Sequence, residues 1–355
     1  MALKITWKER LNYPTLIKGT AAGIVDGWLL VAGGMSYPWK EVDYGFKMNV
    51  TEPEKKWEPL TPIPLGPGWT SGAAVCGGLA VVGGRRGAVG HRATPEVFFL
   101  DFHNSSTVWE QLPDRPLCAM VATTCGHDDW LYTAFGSEWH PHEHAIENTS
   151  IFRMNLRERK DNSFAEWETV TVFPGAPRWM GGMAVCNGKL YVIGGRDHPI
   201  GGFAAIQKQP HNAYNPFMAS GEELAYSEMF VYDLETHQWT ELPHPPRAFV
   251  TDAFVVADRW IVMAGGGGYA VYPEGVTIEL NDFNWEVGFM CHSKEVWAYD
   301  TVTGEWEPLD ALPYGVASAR MAVWEDYAYV VGNETLDKNR SHTYSTIFEG
   351  CIEIT

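Results

Sequence analysis

Residues 182–195 read Gly-Met-Ala-Val-Cys-Asn-Gly-Lys-Leu-Tyr-Val-Ile-Gly-Gly. A run of small and apolar residues ends at Asn187-Gly188, a dipeptide that accepts the positive φ angles of a two-residue hairpin turn. A second apolar strand follows and stops at the paired glycines Gly194-Gly195. Beyond a long insertion, Val231-Tyr232-Asp233 marks a third strand, and six residues later Trp239 begins a fourth that runs to Leu242. Such a four-stranded unit cannot bury both of its faces alone and has to stack on others like it.

The unit recurs along the chain. Small-residue strands also lie at 72–76, and tight turns at Asp26-Gly27, Gly77-Gly78 and Asp128-Asp129. Apolar strands ending in paired glycines occupy 29–34, 79–84 and 261–266, with degenerate versions at Phe135-Gly136 and Gly332-Asn333. Trp7, Trp57, Trp109, Trp167, Trp239 and Trp306 are separated by 50, 52, 58, 72 and 67 residues, and by 56 through the termini. A repeat of roughly 40–50 residues or a little more is the mark of propeller blades. The expected fold is all-β, a six-bladed β-propeller over 1–355 as one domain. Its blades are expected near 19–60, 69–112, 120–170, 179–242, 249–309 and 316–355, the last completed by an N-terminal strand at 5–11.

Composition narrows the partners. A formal charge of −18 argues against nucleic acid or an anionic membrane. No apolar stretch reaches the roughly 18 residues of a membrane-crossing helix. Cys76, Cys125 and Cys186 fall at corresponding points of different blades, too far apart to bridge, so they are expected as buried thiols. Met1-Ala2-Leu3-Lys4 runs directly into the closing strand, so a cytoplasmic protein without a secretory signal is expected. The sequence does not fix an oligomeric state.

Strands are committed to packing, so function falls to the loops. Those after the glycine pairs, together with the segments leading into each first strand, share one face. Arg85, Arg86, Arg92, Arg178, Arg196, Arg247, Arg320 and Arg340 lie in or beside them, eight of the fourteen arginines. Guanidinium forks suit a carboxylate or phosphate, which points to a small acidic ligand in a positively charged axial pocket; salt bridging with local acids is the competing reading. Trp69, Trp139, Trp179 and Tyr269 lie on the same face, and aromatic rings suit the faces of sugars. No cofactor is expected. A divalent transition metal is the exception to consider, because the loop Ser137-Glu138-Trp139-His140-Pro141-His142-Glu143-His144 concentrates His140, His142 and His144.

Strand, hairpin, Gly-Gly, Tyr-Asp and spaced Trp together resemble the kelch family over essentially the whole chain. Within it, Tyr314-Gly315-Val316 and Val330-Val331-Gly332-Asn333-Glu334-Thr335 are similar to the last blade of the N-acetylneuraminate epimerase, or sialic acid mutarotase, group. The resemblance implies a glutamate directly after a glycine pair as general acid/base, with an arginine six residues on. Glu334 and Arg340 fit that spacing, although in the group the pair stands in the fourth blade, where this chain has Arg196-Asp197. Glu138 holds the corresponding place in the third blade. The implied activity is a carbohydrate isomerase acting on an acidic sugar. The alternatives are a non-catalytic kelch module binding an acidic peptide or protein, and a metal-dependent lyase or hydrolase built on the histidine loop.

Overall fold

A computed structural model describes residues 1–10, 12–36, 40–52, 54–87, 92–103, 108–138, 146–160, 163–164, 166–196, 226–268, 291–332, 334–337 and 340–355; of these, the side chains of 159–160, 163–164, 267–268, 291–292, 335–337 and 340–342 are not described. Six four-stranded antiparallel sheets make up the ring. Their first strands are Ala21–Val25, Ser71–Val75, Thr123–His127, Gly182–Cys186, Ala253–Val256 and Arg320–Trp324. The sixth sheet runs Arg320–Trp324, Tyr327–Val331, Phe348–Ile354 and finally Leu3–Glu9, with Trp7 opposite Gly350. The chain's two ends therefore share one blade.

The six tryptophan units leave one apolar cluster at each junction between neighbouring sheets. Small residues let the first strands approach. A Cβ on Gly126 would lie 2.1 Å from the Ala74 carbonyl oxygen, and one on Gly72 only 2.6 Å from the Ala21 side chain. The paired glycines act as straps. The amides of Gly34, Gly84, Gly136, Gly195 and Gly266 donate to the carbonyls of Pro67, Ala119, Arg178, Phe249 and Val316, each on the segment that leads into the next blade. The repeat tryptophans tie blades from the outside: the Trp109, Trp167 and Trp239 indoles donate to the Thr61, Pro113 and Val172 carbonyls at 2.8–3.0 Å.

The segments after the glycine pairs are more regular than loops. Met35–Ser36 pairs with Lys40–Glu41, Arg85–Arg86 with Arg92–Ala93, and Glu334–Asp337 with Arg340–Thr343. Cys76, Cys118, Cys125, Cys186 and Cys351 are free thiols.

Candidate functional site

Lys18–Met35, Gly68–Arg85, Met120–Ser137, Trp179–Arg196 and Ala317–Glu334 form isolated antiparallel bridges that pin each lead-in segment to the residue after its own glycine pair. The next residue of the segment is left-handed in five blades: Gly19, Trp69, Val121, Met180 and Ser318 have φ of 46–56°. Glycine takes this conformation freely, whereas other residues sacrifice on the order of 1–3 kcal/mol. Four blades keep a side chain there nonetheless. With Val250, Thr251, Asp252, Ala319 and Arg320 they surround an axial pocket of about 10 Å³, room for about one water.

The pocket wall is divided. Trp69, Val121 and Met180 form an apolar arc backed by Met120 and Trp179. Ser318, Asp252 and Arg320 form a polar one. Behind Ser318 stands Glu334, whose Oε1 accepts from Ser318 Oγ at 2.7 Å and whose Oε2 accepts from the Lys18 ammonium. Lys18 is 1% exposed and Glu334 8%, so this ion pair is shielded from water and little screened. The Lys18 Nζ also lies 5.2 Å from the centre of the Trp69 ring, within reach of a cation–π attraction. Trp69 in turn rests on Gly19, where an added Cβ would meet its ring at 2.5 Å.

Arg320 crosses the axis. Its Nε and Nη2 donate to the Thr20 and Thr70 carbonyls, both at 2.9 Å, and its Nη1 donates to Asp252. Below this crossbar a cavity of about 680 Å³ runs between the first strands, from Asp252 to the hairpin turns at Asp258 and Asp326. Of these two axial spaces the larger lies toward the turn face; at the other end Arg320 and the left-handed ring enclose the small pocket, and most of the loops after the glycine pairs, expected to wall it, lie outside the described residues.

Five of the eight arginines of that face have a carboxylate partner. Arg85 pairs with Glu41, Arg86 with Glu96, Arg178 with Glu228, Arg247 with Glu295 and Arg320 with Asp252. Each of these five guanidiniums therefore has a carboxylate counter-charge beside it within the framework. Arg178 and Arg247 also donate to the Gly194 and Gly265 carbonyls, and Arg115 does the same for Phe135 at the matching point of the third blade. Burial pushes Arg115 down to about 10, still charged at neutral pH, and lowers Arg178 despite its Glu228 partner. Arg196 stacks on Trp179, 4.1 Å from ring centre to guanidinium carbon. Trp179 is itself 3% exposed, so it serves this stack and the apolar arc from below the surface.

Glu138 is exposed, and its carbonyl accepts from the Ala93 amide. Trp139, Tyr269, His140, His142 and His144 lie outside the described residues, as does the side chain of Arg340. Among the described residues no three His, Cys, Asp or Glu side chains are grouped to hold a metal. Sequence reasoning missed Lys18, Ser318's partnership with Glu334, and Arg115. A lone lysine before a glycine carries no motif, and its carboxylate is 316 residues away.

A second buried carboxylate sits farther out on the junction between the sixth and first blades. Glu349 Oε1 accepts from Arg10 at 2.9 and 3.0 Å and lies 3.2 Å from Lys8 Nζ; Oε2 accepts from Lys55 and from the Tyr329 hydroxyl at 2.7 Å. Burial alone would raise the Glu349 carboxyl, but hydrogen bonds from Lys55, Tyr329 and Arg10 outweigh it and bring it down to about 2. Burial, together with the neighbouring carboxylate, pushes Tyr329 up.

A Kelch motif matches residues 181–246, the fourth blade. N-acetylneuraminate epimerase of Yersinia pestis is 25% identical over 247 residues, which cover 64% of this chain and 55% of that protein. Kelch-like protein terF of Aspergillus terreus is 24% identical over 293 residues, 70% of this chain and 60% of that protein. The matches thus span between half and two thirds of the length of these curated relatives. The solved structure of YjhT has a TM-score of 0.66 with this chain at 14% identity, over 97% of this chain and 99% of that one, a likeness of fold.

Proposed function

We propose that this six-bladed kelch propeller, which resembles the N-acetylneuraminate epimerase group, is a sugar isomerase that interconverts the anomers of an acidic sugar such as a sialic acid. The observation that carries the reading is the Glu334 carboxylate, fixed by Ser318 and Lys18 beside an axial mouth that is apolar on one side and polar on the other. Mutarotation asks for a group that takes the anomeric hydroxyl proton and a proton for the ring oxygen, after which the opened sugar recloses on either face. Glu334 fills the acid/base role, with Glu138 in reserve. The pocket admits about one water, so the sugar rests on the mouth, its apolar face against Trp69. Arg196, held flat on Trp179, and Arg340 are assigned to its carboxylate. An acidic-peptide module is the weaker reading, because compact, shallow loops would suit it and the fourth and fifth blades carry long insertions instead.

The test is anomer exchange of a sialic acid followed by magnetisation-transfer NMR. The protein should accelerate exchange, and Glu334→Gln should slow it by about 10²–10⁴-fold, with Arg340→Ala weakening binding instead. Exchange at the spontaneous rate in the presence of the protein, or a Gln variant as fast as the parent, sinks the proposal.

A further inference from the structure

We infer that Ser318, not Glu334, is the group that touches the sugar, acting as a proton relay; this rests on the isomerase reading above. Ser318 lines the axial pocket, whereas Glu334 stands one hydrogen bond behind it, Oγ to Oε1 at 2.7 Å. The other carboxylate oxygen is held by Lys18. A hydroxyl lining a pocket, a base within reach of it and a third group orienting that base form the general arrangement by which a side-chain hydroxyl is activated.

The backbone supplies an independent observation. Ser318 has φ +56°, and the same position in the first blade is Gly19, at φ +55°. The local conformation therefore favours glycine, and a serine there is not explained by the backbone. Nor does the carboxylate lack another donor, since Lys18 already provides one.

The relay balances. Ser318 accepts the anomeric hydroxyl proton as its own proton passes to Glu334. The bond between the anomeric carbon and the ring oxygen breaks, and the anomeric oxygen becomes a carbonyl. The proton on Glu334 then returns through Ser318 to the ring oxygen, which becomes a hydroxyl. Lys18 keeps its charge throughout and acts as a positioning residue for the carboxylate. Reclosure on the opposite face runs the same steps backwards, with no net proton change and no co-reactant.

Ser318→Gly separates this role from a structural one, because it removes the hydroxyl while easing the backbone. The expected variant melts at or above the parent's temperature, keeps its KM for the sugar and exchanges anomers on the order of 100-fold more slowly. In a Glu334→Gln background the same substitution should add no further loss, since both act on one proton path. If Ser318→Gly exchanges at the parent rate while Glu334→Gln is slow, Glu334 meets the sugar directly and the relay is wrong. A slow Ser318→Gly variant that also melts lower would mark Ser318 as a packing residue and equally overturn the relay. If Glu334→Gln itself keeps the parent rate, or the parent is inactive, the isomerase reading fails and the relay falls with it.

Discussion

Two buried carboxylates of the sixth blade each reach across to a lysine of the first, yet their surroundings differ. Glu349 is fully buried and is wrapped by Arg10, Lys8, Lys55 and Tyr329, three cations from the first blade and the N-terminal strand. Glu334 lies beside the axis, joined through Ser318 to the mouth. The outer site gathers charge where the chain's two ends are joined. The inner one holds a carboxylate directly behind a hydroxyl that lines the axial pocket. The contrast separates a clamp from a candidate for chemistry, although burial and ion pairing look alike at both.

The largest effect should come from breaking the clamp at its source. Deleting residues 1–10 removes Lys8 and Arg10 and also the buried Leu3 and Ile5. Each of those two apolar side chains is worth about 2–5 kcal/mol, so urea unfolding should register a loss above roughly 5 kcal/mol. A truncated chain unfolding at the parent's midpoint would break the comparison, because the outer cluster would then clamp nothing.

Glu349→Leu is a narrower cut. It strands Lys55 and the Tyr329 hydroxyl in the interior, which should cost about 3–5 kcal/mol. The same cluster gives a pH signature. With the folded carboxyl at about 2 against an ordinary 4.5, its contribution is complete above the unfolded value and is lost as pH falls from about 4.5 toward 2. The difference corresponds to about 3 kcal/mol. Urea midpoints measured across that range should fall steeply for the parent and more gently for Glu349→Leu. Parallel curves would show that Glu349 is not the group protonated.

The ring was legible because its signals repeat. Six tryptophans and the glycine pairs recur with a period, and periodic signals survive a degenerate copy such as Phe135-Gly136. The site was legible only in part. Glu334 could be singled out because it follows a glycine position, but the groups that hold it come from lead-in segments with no repeat character. Lys18 lies at the far end of the sequence and becomes a neighbour only when the ring closes. The partners of the arginines were hidden for a related reason: a sequence displays guanidiniums but not the carboxylates that adjoining strands and blades bring to them. Arg115, Arg178 and Arg247 perform one task, capping the carbonyl beside a glycine pair. They reach it from different spacings, so no motif records it.

The smallest expected stability effect is also the sharpest test of the contrast. Lys18 and Glu334 form a buried pair, and such pairs can often be exchanged for apolar residues of similar volume at no cost, or with a gain of about 1–4 kcal/mol. Lys18→Met combined with Glu334→Leu should therefore leave the urea midpoint unchanged or raised, because both charges leave together. Lys18→Met alone should destabilise, since it abandons the carboxylate. If the double substitution instead costs as much as Glu349→Leu, then Glu334 is a second clamp on the same junction. Its place beside the mouth would then follow from ring closure alone. If the double variant is stable and no longer accelerates anomer exchange, stability cannot be the reason a lysine and a glutamate stand there. Their charge would then be tied to what the mouth does.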